Sequence, residues 1–118
     1  MSEHEDQVAL FSWAALAANQ RPELALLFAI PNGGHRHKAV AARMKAEGVK
    51  AGVPDICLPV ARRGYHGMFI ELKTRRGRLT MEQTKWLSAL IDEGYWANTC
   101  RGFEEAKHAI EEYLGPPF

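Results

Sequence analysis

Apolar residues recur along the chain with two different spacings, and the switches between them set the expected order of elements. Over residues 3–19 they return every three to four positions, through Val8, Phe11, Ala15 and Ala18. That spacing predicts a helix, stopped shortly afterwards by Pro22. Residues 26–30 form a short unbroken apolar run closed by Pro31-Asn32-Gly33-Gly34, the pattern of a buried strand and a turn. Residues 35–47 return to helical spacing, with Ala39, Val40 and Met44 predicted inward and Gly48 as the stop. Residues 55–60 and 68–73 read as two strands. The link Ala61-Arg62-Arg63-Gly64-Tyr65-His66 between them is short enough for a hairpin. Residues 80–93 form the clearest helix: Thr80 and Gln83 fit a capping box, Leu87, Leu90 and Ile91 form the expected buried stripe, and Gly94 closes it. A last strand over 95–100 and a last helix over 103–114 complete the chain, before Gly115-Pro116-Pro117.

The resulting order, α-β-α-β-β-α-β-α, predicts a three-layer α/β domain around a mixed sheet. With 118 residues, the chain fits one domain spanning 1–118. Hydrophobic residues make up 47%, which is enough for an ordinary core, and the net charge of +1 rules out a uniformly basic coat. Contacts to nucleic acid must therefore come from local clusters. No apolar run approaches the roughly 20 residues of a membrane span. The polar, acidic start is unlike a secretory leader. Cys57 and Cys100 sit in apolar, strand-like segments and read as reduced core residues, so the expected location is cytoplasmic. Neither a phosphate-binding loop nor a dinucleotide fingerprint is present, and no nucleotide cofactor is expected.

The candidate chemistry lies in Gly52-Val53-Pro54-Asp55 and Glu71-Leu72-Lys73. Residues two apart on a strand share a face, so Glu71 and Lys73 point one way while Ile70 and Leu72 point the other. If the two strands pair as a hairpin centred near Arg63, Asp55 falls opposite Glu71, with Cβ atoms ~5 Å apart. Two such carboxylates repel unless one is protonated or a cation lies between them. A hard cation such as Mg²⁺ prefers oxygen ligands of this kind. Lys73 adds a positive charge that can stabilise negative charge on a phosphate or position the nucleophile. An isolated E-x-K on a strand is ordinarily an exposed edge. It is the conjunction of both segments at facing strand ends that points to phosphodiester hydrolysis.

These segments resemble the PD-(D/E)xK nuclease superfamily, and more narrowly the short stand-alone form of the virus-type replication-repair nuclease (VRR-NUC) family found in phages and bacteria. The matching pieces are Glu3-His4-Glu5-Asp6-Gln7, Pro31-Asn32-Gly33-Gly34, Gly48-Val49-Lys50-Ala51-Gly52-Val53-Pro54-Asp55, Phe69-Ile70-Glu71-Leu72-Lys73-Thr74, Leu79-Thr80-Met81-Glu82-Gln83 with Trp86-Leu87, and Gly94-Tyr95. They span nearly the whole chain in the family's order. The resemblance implies a restriction-endonuclease-like fold and a DNA endonuclease dependent on Mg²⁺, for which Mn²⁺ can substitute. It implies catalytic roles for Asp55, Glu71, Lys73 and Gln83. The implied metal ligands are Asp55, Glu71, the Leu72 backbone carbonyl and a carboxylate of the first helix, best matched by Glu3, with Glu5 and Asp6 as competitors. All three acids also suit a helix N-terminus, and the capping box alone accounts for Gln83. Stand-alone members resemble junction-resolving enzymes, which implies a homodimer acting on branched DNA such as four-way junctions or flaps.

Arg75, Arg76 and Arg78 follow directly on the presumed catalytic strand and are expected to contact phosphates without reading sequence. Arg36 and Lys38 in the second helix are further candidates. A solvated charged surface is the alternative for all of them. His35 and His37 lack partners at zinc-ligand spacing, and Gly33 and Gly34 are explained by a tight turn. Trp13, Trp86 and Trp96 fit core positions better than a base-stacking platform. Two other readings remain: a non-catalytic nucleic-acid-binding module on the same fold, and a sequence-specific restriction-type enzyme.

Overall fold

The protein is described by a computed structural model covering residues 1–31 and 37–118. Helix α1 spans Glu3–Ala17 and a 3-10 turn spans Pro22–Leu26; strand β1 is Phe28–Ala29 and helix α2 is Lys38–Ala46. Strands β2 (Ile56–Leu58) and β3 (Met68–Lys73) follow, then α3 (Met81–Asp92), β4 (Trp96–Arg101) and α4 (Phe103–Leu114). The four strands lie in sequence order, β1-β2-β3-β4. The first two pairings are antiparallel and the last is parallel, with α3 as its crossover. The sheet is therefore mixed, as the element order predicts.

Register follows from the hairpin. Ile56 pairs with Ile70 and Leu58 with Met68, so the pairing is centred on Arg63. Arg63 takes φ 53° at the tip and Gly64 follows at φ 84°. Continuing that register by one residue sets Asp55 opposite Glu71.

Strand alternation divides the sheet into two unequal faces. Ile56, Leu58, Met68, Ile70 and Leu72 join Leu10 and Ala14 of α1 and Ala106, Ile110, Tyr113 and Leu114 of α4 in the principal core. Phe69, Glu71 and Lys73 point to the other face, where α3 packs on β4 and supplies Leu87. This second layer is thin, and it holds the chemistry.

Several sequence expectations change at this level. The α1 stripe runs through Asp6, Leu10 and Ala14, while Val8 and Ala15 are exposed and Phe11 and Ala18 only partly buried. A helix that is apolar nearly all round offers several possible stripes, and packing selects among them. In α3 only Leu87 is buried; Leu90 is half-buried and Ile91 exposed. Helix α2 buries none of its residues, so Ala39 and Val40 face outward and Met44 is half-buried. Periodicity fixes which side chains share a face, but not whether a neighbour covers that face. The first strand is shorter than expected, because residues 22–26 wind into the 3-10 turn. Gly33, Gly34, His35 and Arg36 lie outside the described residues.

Both cysteines are buried and free, as the sequence reading expects. Burial pushes the Cys57 thiol up to about 11 and the Cys100 thiol to about 12. Among the described residues, no helix is long and apolar enough to cross a membrane.

One glycine joins the segment before β2 to α3. Gly52 has φ 90°, and a Cβ there would stand 2.7 Å from the Glu82 backbone carbon and from its Cβ. Gly48 has φ 98° with open space around it. Replacing Gly48 with Ala therefore costs only the left-handed backbone, about 1–2 kcal/mol. Gly52→Ala adds a backbone collision, and is expected to lose at least about 1 kcal/mol more. Urea unfolding of the two variants checks the difference; equal losses would show that α3 yields freely.

Candidate active site

The site assembles where β2 and β3 meet the first turn of α3. Asp55 immediately precedes β2 and accepts a hydrogen bond on Oδ2 from the Leu72 backbone N–H at 2.8 Å. This bond pins the carboxylate across the hairpin. Glu71 lies on the α3-facing side of β3 and is 1% exposed. Its Oε2 accepts from Gln83 Nε2 at 3.2 Å and lies 4.0 Å from Lys73 Nζ. Its Oε1 is buried with no hydrogen-bond partner. Lys73, two residues on, is itself buried.

Such burial is costly for a charged group. Desolvation, then the adjacent Asp55 carboxyl and its negative charge, push the Glu71 carboxyl up to about 8. The charge of Glu3 adds to the upward shift, and Lys73 partly opposes it. Glu71 therefore favours its protonated form unless a cation offsets the charge.

The three acids at the start of α1 have separate places. Glu5 completes a capping box: its Oε1 accepts from the Ser2 N–H at 2.9 Å, and its own N–H donates to Ser2 Oγ at 3.1 Å. The Ser2 backbone N–H, then the Ser2 side chain, hold its carboxyl below the ordinary range. Asp6 is buried and accepts from the Phe103 N–H at 3.1 Å, so it caps α4. Glu3 has neither task. It lines a groove of about 920 Å³ together with Gln7, Phe11 and Asp55. Among the described residues, no three Asp, Glu, His or Cys side chains converge closely enough to hold an ion by themselves. Glu3 thus stands near the carboxylate pair without closing a three-carboxylate cage.

Gln83 does both things its position allows. Its Oε1 accepts from the Thr80 N–H at 2.9 Å while its Nε2 reaches Glu71. The capping box thereby fixes the amide that orients the buried carboxylate. Arg75, Arg76 and Arg78 are exposed on the turn after β3. Lys38 is exposed in the first turn of α2 and does not line the groove of Glu3 and Asp55, and Arg36 lies outside the described residues. Two neighbours carry no site assignment from sequence. Gln7 lies one turn from Glu3 and lines the same groove; the i to i+4 spacing was the available signal. Arg101 grips the turn that carries the arginines, and no sequence pattern marks it.

A mixed sheet between helices, with a hairpin-held carboxylate pair and a lysine at the end of a central strand, defines an α/β domain of the nuclease type. The family model described as the VRR-NUC domain matches residues 6–104, and the chain belongs to that nuclease family. A solved structure titled "VRR_NUC domain protein" superposes with a TM-score of 0.81 at 30% identity, covering 97% of this chain and 88% of that one. A search of curated proteins finds no match.

The raised Glu71 carboxyl carries a consequence for stability. Folding then favours the protonated form, so the stabilisation is full below about pH 4.5 and is lost as pH rises towards 8. Glu71→Gln removes the charge while keeping the shape. In metal-free buffer this variant is expected to melt above the wild type near the top of that window, and to match it at the bottom. Thermal melts across the window check this; a wild type that gains stability as pH rises through it would contradict the assignment.

Proposed function

We propose that this protein is a Mg²⁺-dependent DNA endonuclease, with Mn²⁺ able to substitute, selective for branched DNA such as four-way junctions or flaps. The observation that carries the reading is Glu71: a buried carboxylate set against a second one, beside a lysine, with one oxygen left unpartnered. That arrangement destabilises the metal-free protein, and it suits a hard cation with oxygen ligands. The residues present fit such an ion: Asp55 and Glu71 would hold it, joined by the Leu72 carbonyl, with Glu3 the first-helix acid left free for it. When bound, it supplies Lewis-acid polarisation of the scissile phosphate.

The chain's own groups do the rest. Lys73 places a positive charge beside the pair, where it stabilises the negative charge that builds on the phosphate as water attacks phosphorus and the P–O bond breaks. Gln83 fixes the orientation of Glu71. Arg75, Arg76 and Arg78 hold flanking phosphates, and Arg36 and Lys38 extend the backbone contacts beyond the site. Because such contacts read no sequence, selectivity falls to DNA shape.

A homodimer gives two such sites, as two cuts across a junction require. The 3-10 turn, edge strand β1 and α2 support it: Leu26 is 52% exposed, Phe28 46% and Val40 41%. These side chains suit a second copy of the chain better than water. The cytoplasm of a bacterium or phage-infected cell is the matching location.

Purified protein with labelled junction, flap, duplex and single-stranded DNA tests the reading. Wild type is expected to cut branched DNA with Mg²⁺ or Mn²⁺ and not with EDTA. Asp55→Ala and Lys73→Ala are each expected to lose about 10²–10³ in rate. Glu3→Ala is expected to lower the rate while Glu5→Ala, confined to the cap, leaves it near wild type. DNA binding without cutting under either metal would make the chain a non-catalytic binding module. Cutting restricted to one duplex sequence would make it a restriction-type enzyme. Sedimentation gives the assembly state: Phe28→Glu is expected to shift a dimer to monomer, and a monomeric wild type would remove the two-site account.

A further inference from the structure

We propose that Arg101, the last residue of β4, is a positioning residue that shapes the basic turn leaving β3 and so controls how that turn holds DNA. The inference rests on the nuclease reading and adds to it a residue outside the carboxylate-lysine cluster. In the parallel register Arg101 pairs with Lys73, so its side chain stands where the chain leaves the sheet at Thr74. A single guanidinium nitrogen, Nη1, donates to the carbonyls of Thr74 at 2.8 Å, Arg75 at 3.3 Å and Gly77 at 2.6 Å.

Among the described residues, the only backbone hydrogen bond closing that turn runs from the Gly77 N–H to the Thr74 carbonyl at 3.2 Å. The turn's shape therefore depends on one exposed side chain. Bonds from a charged donor are shorter and stronger than neutral ones, and three carbonyls drawn onto one cation cannot rotate independently. Drawing the carbonyls onto Arg101 has two effects. It leaves the guanidinium groups of Arg75, Arg76 and Arg78 exposed and without a hydrogen bond or ion pair among the described residues. It also offsets carbonyl dipoles that would otherwise repel an approaching phosphate. Arg75 and Arg101 line one cleft of about 380 Å³ with Thr74, so the organiser and one of the arginines it sets stand side by side.

A double-mutant cycle separates positioning from direct contact. Binding to a four-way junction is measured by fluorescence anisotropy in EDTA, where cutting does not interfere, for wild type, Arg101→Ala, Arg101→Lys, the triple variant with Arg75, Arg76 and Arg78 all replaced by Ala, and that triple variant carrying Arg101→Ala as well. Thermal melts confirm that each is folded. Arg101→Ala is expected to weaken binding about tenfold and lower the salt slope by about 1, with part restored by Arg101→Lys. In the triple background the same change is expected to cost less than about twofold, because there is no longer an arginine to position. With Mg²⁺, KM is expected to rise while kcat at saturating DNA stays within about threefold.

Unchanged binding by Arg101→Ala would overturn the role. So would an equal loss in the triple background, which would mean that Arg101 meets phosphate itself, and so would a fall in kcat with KM unmoved. A wild type that binds and cuts while Arg101→Ala matches it removes only this inference. A wild type that neither binds nor cuts removes the nuclease reading, and this role with it.

Discussion

Burial of the Glu71 carboxylate beside Asp55 is the constraint on which the rest of the site depends. A strand through the middle of a sheet ordinarily buries apolar side chains on both faces. Here β3 does so on the α1 and α4 side, with Met68, Ile70 and Leu72, and carries Glu71 and Lys73 on the α3 side. The large core on one face stabilises a strand whose other face works against folding. Hydrophobic stabilisation and candidate chemistry are thus separated by one peptide unit.

What holds the strained side in place is backbone as much as side chain. The Leu72 N–H donates to Asp55, so the residue whose side chain anchors the core also fixes a candidate ligand by its main chain. The Gln83 amide is aimed by the same capping box that starts α3, and α3 is seated against Gly52, where no Cβ fits. Uncharged donors and a bare glycine from distant parts of the sequence therefore hold the carboxylates in place. Displacing any of them alters the environment of Glu71 without touching a carboxylate.

The α1 acids show how a fold allocates similar residues. Glu3, Glu5 and Asp6 are equivalent in charge and nearly so in position, and each suits a helix N-terminus. One turn of helix points them in different directions. The cap takes Glu5, the start of α4 takes Asp6, and Glu3 is left on the groove shared with Asp55. Roles that look interchangeable in a string of letters are separated by a local cap for Glu5 and, for Asp6, by a hydrogen-bond partner almost a hundred residues away.

Much was legible from the chain alone because it depends on local geometry. Strand alternation put Glu71 and Lys73 on one face. The short link Ala61–His66 suited a hairpin, which the register centres on Arg63, and the spacing of Thr80 and Gln83 marked the start of α3. These are consequences of two-residue and 3.6-residue periods, which any sequence carries openly. The tertiary structure alone decided which stripe of α1 faces inward, that α2 covers nothing, which first-helix acid is free, and that Arg101 grips the turn beside Lys73. Each of those depends on what lies on the far side of a surface, and a one-dimensional pattern holds no record of its neighbours in space.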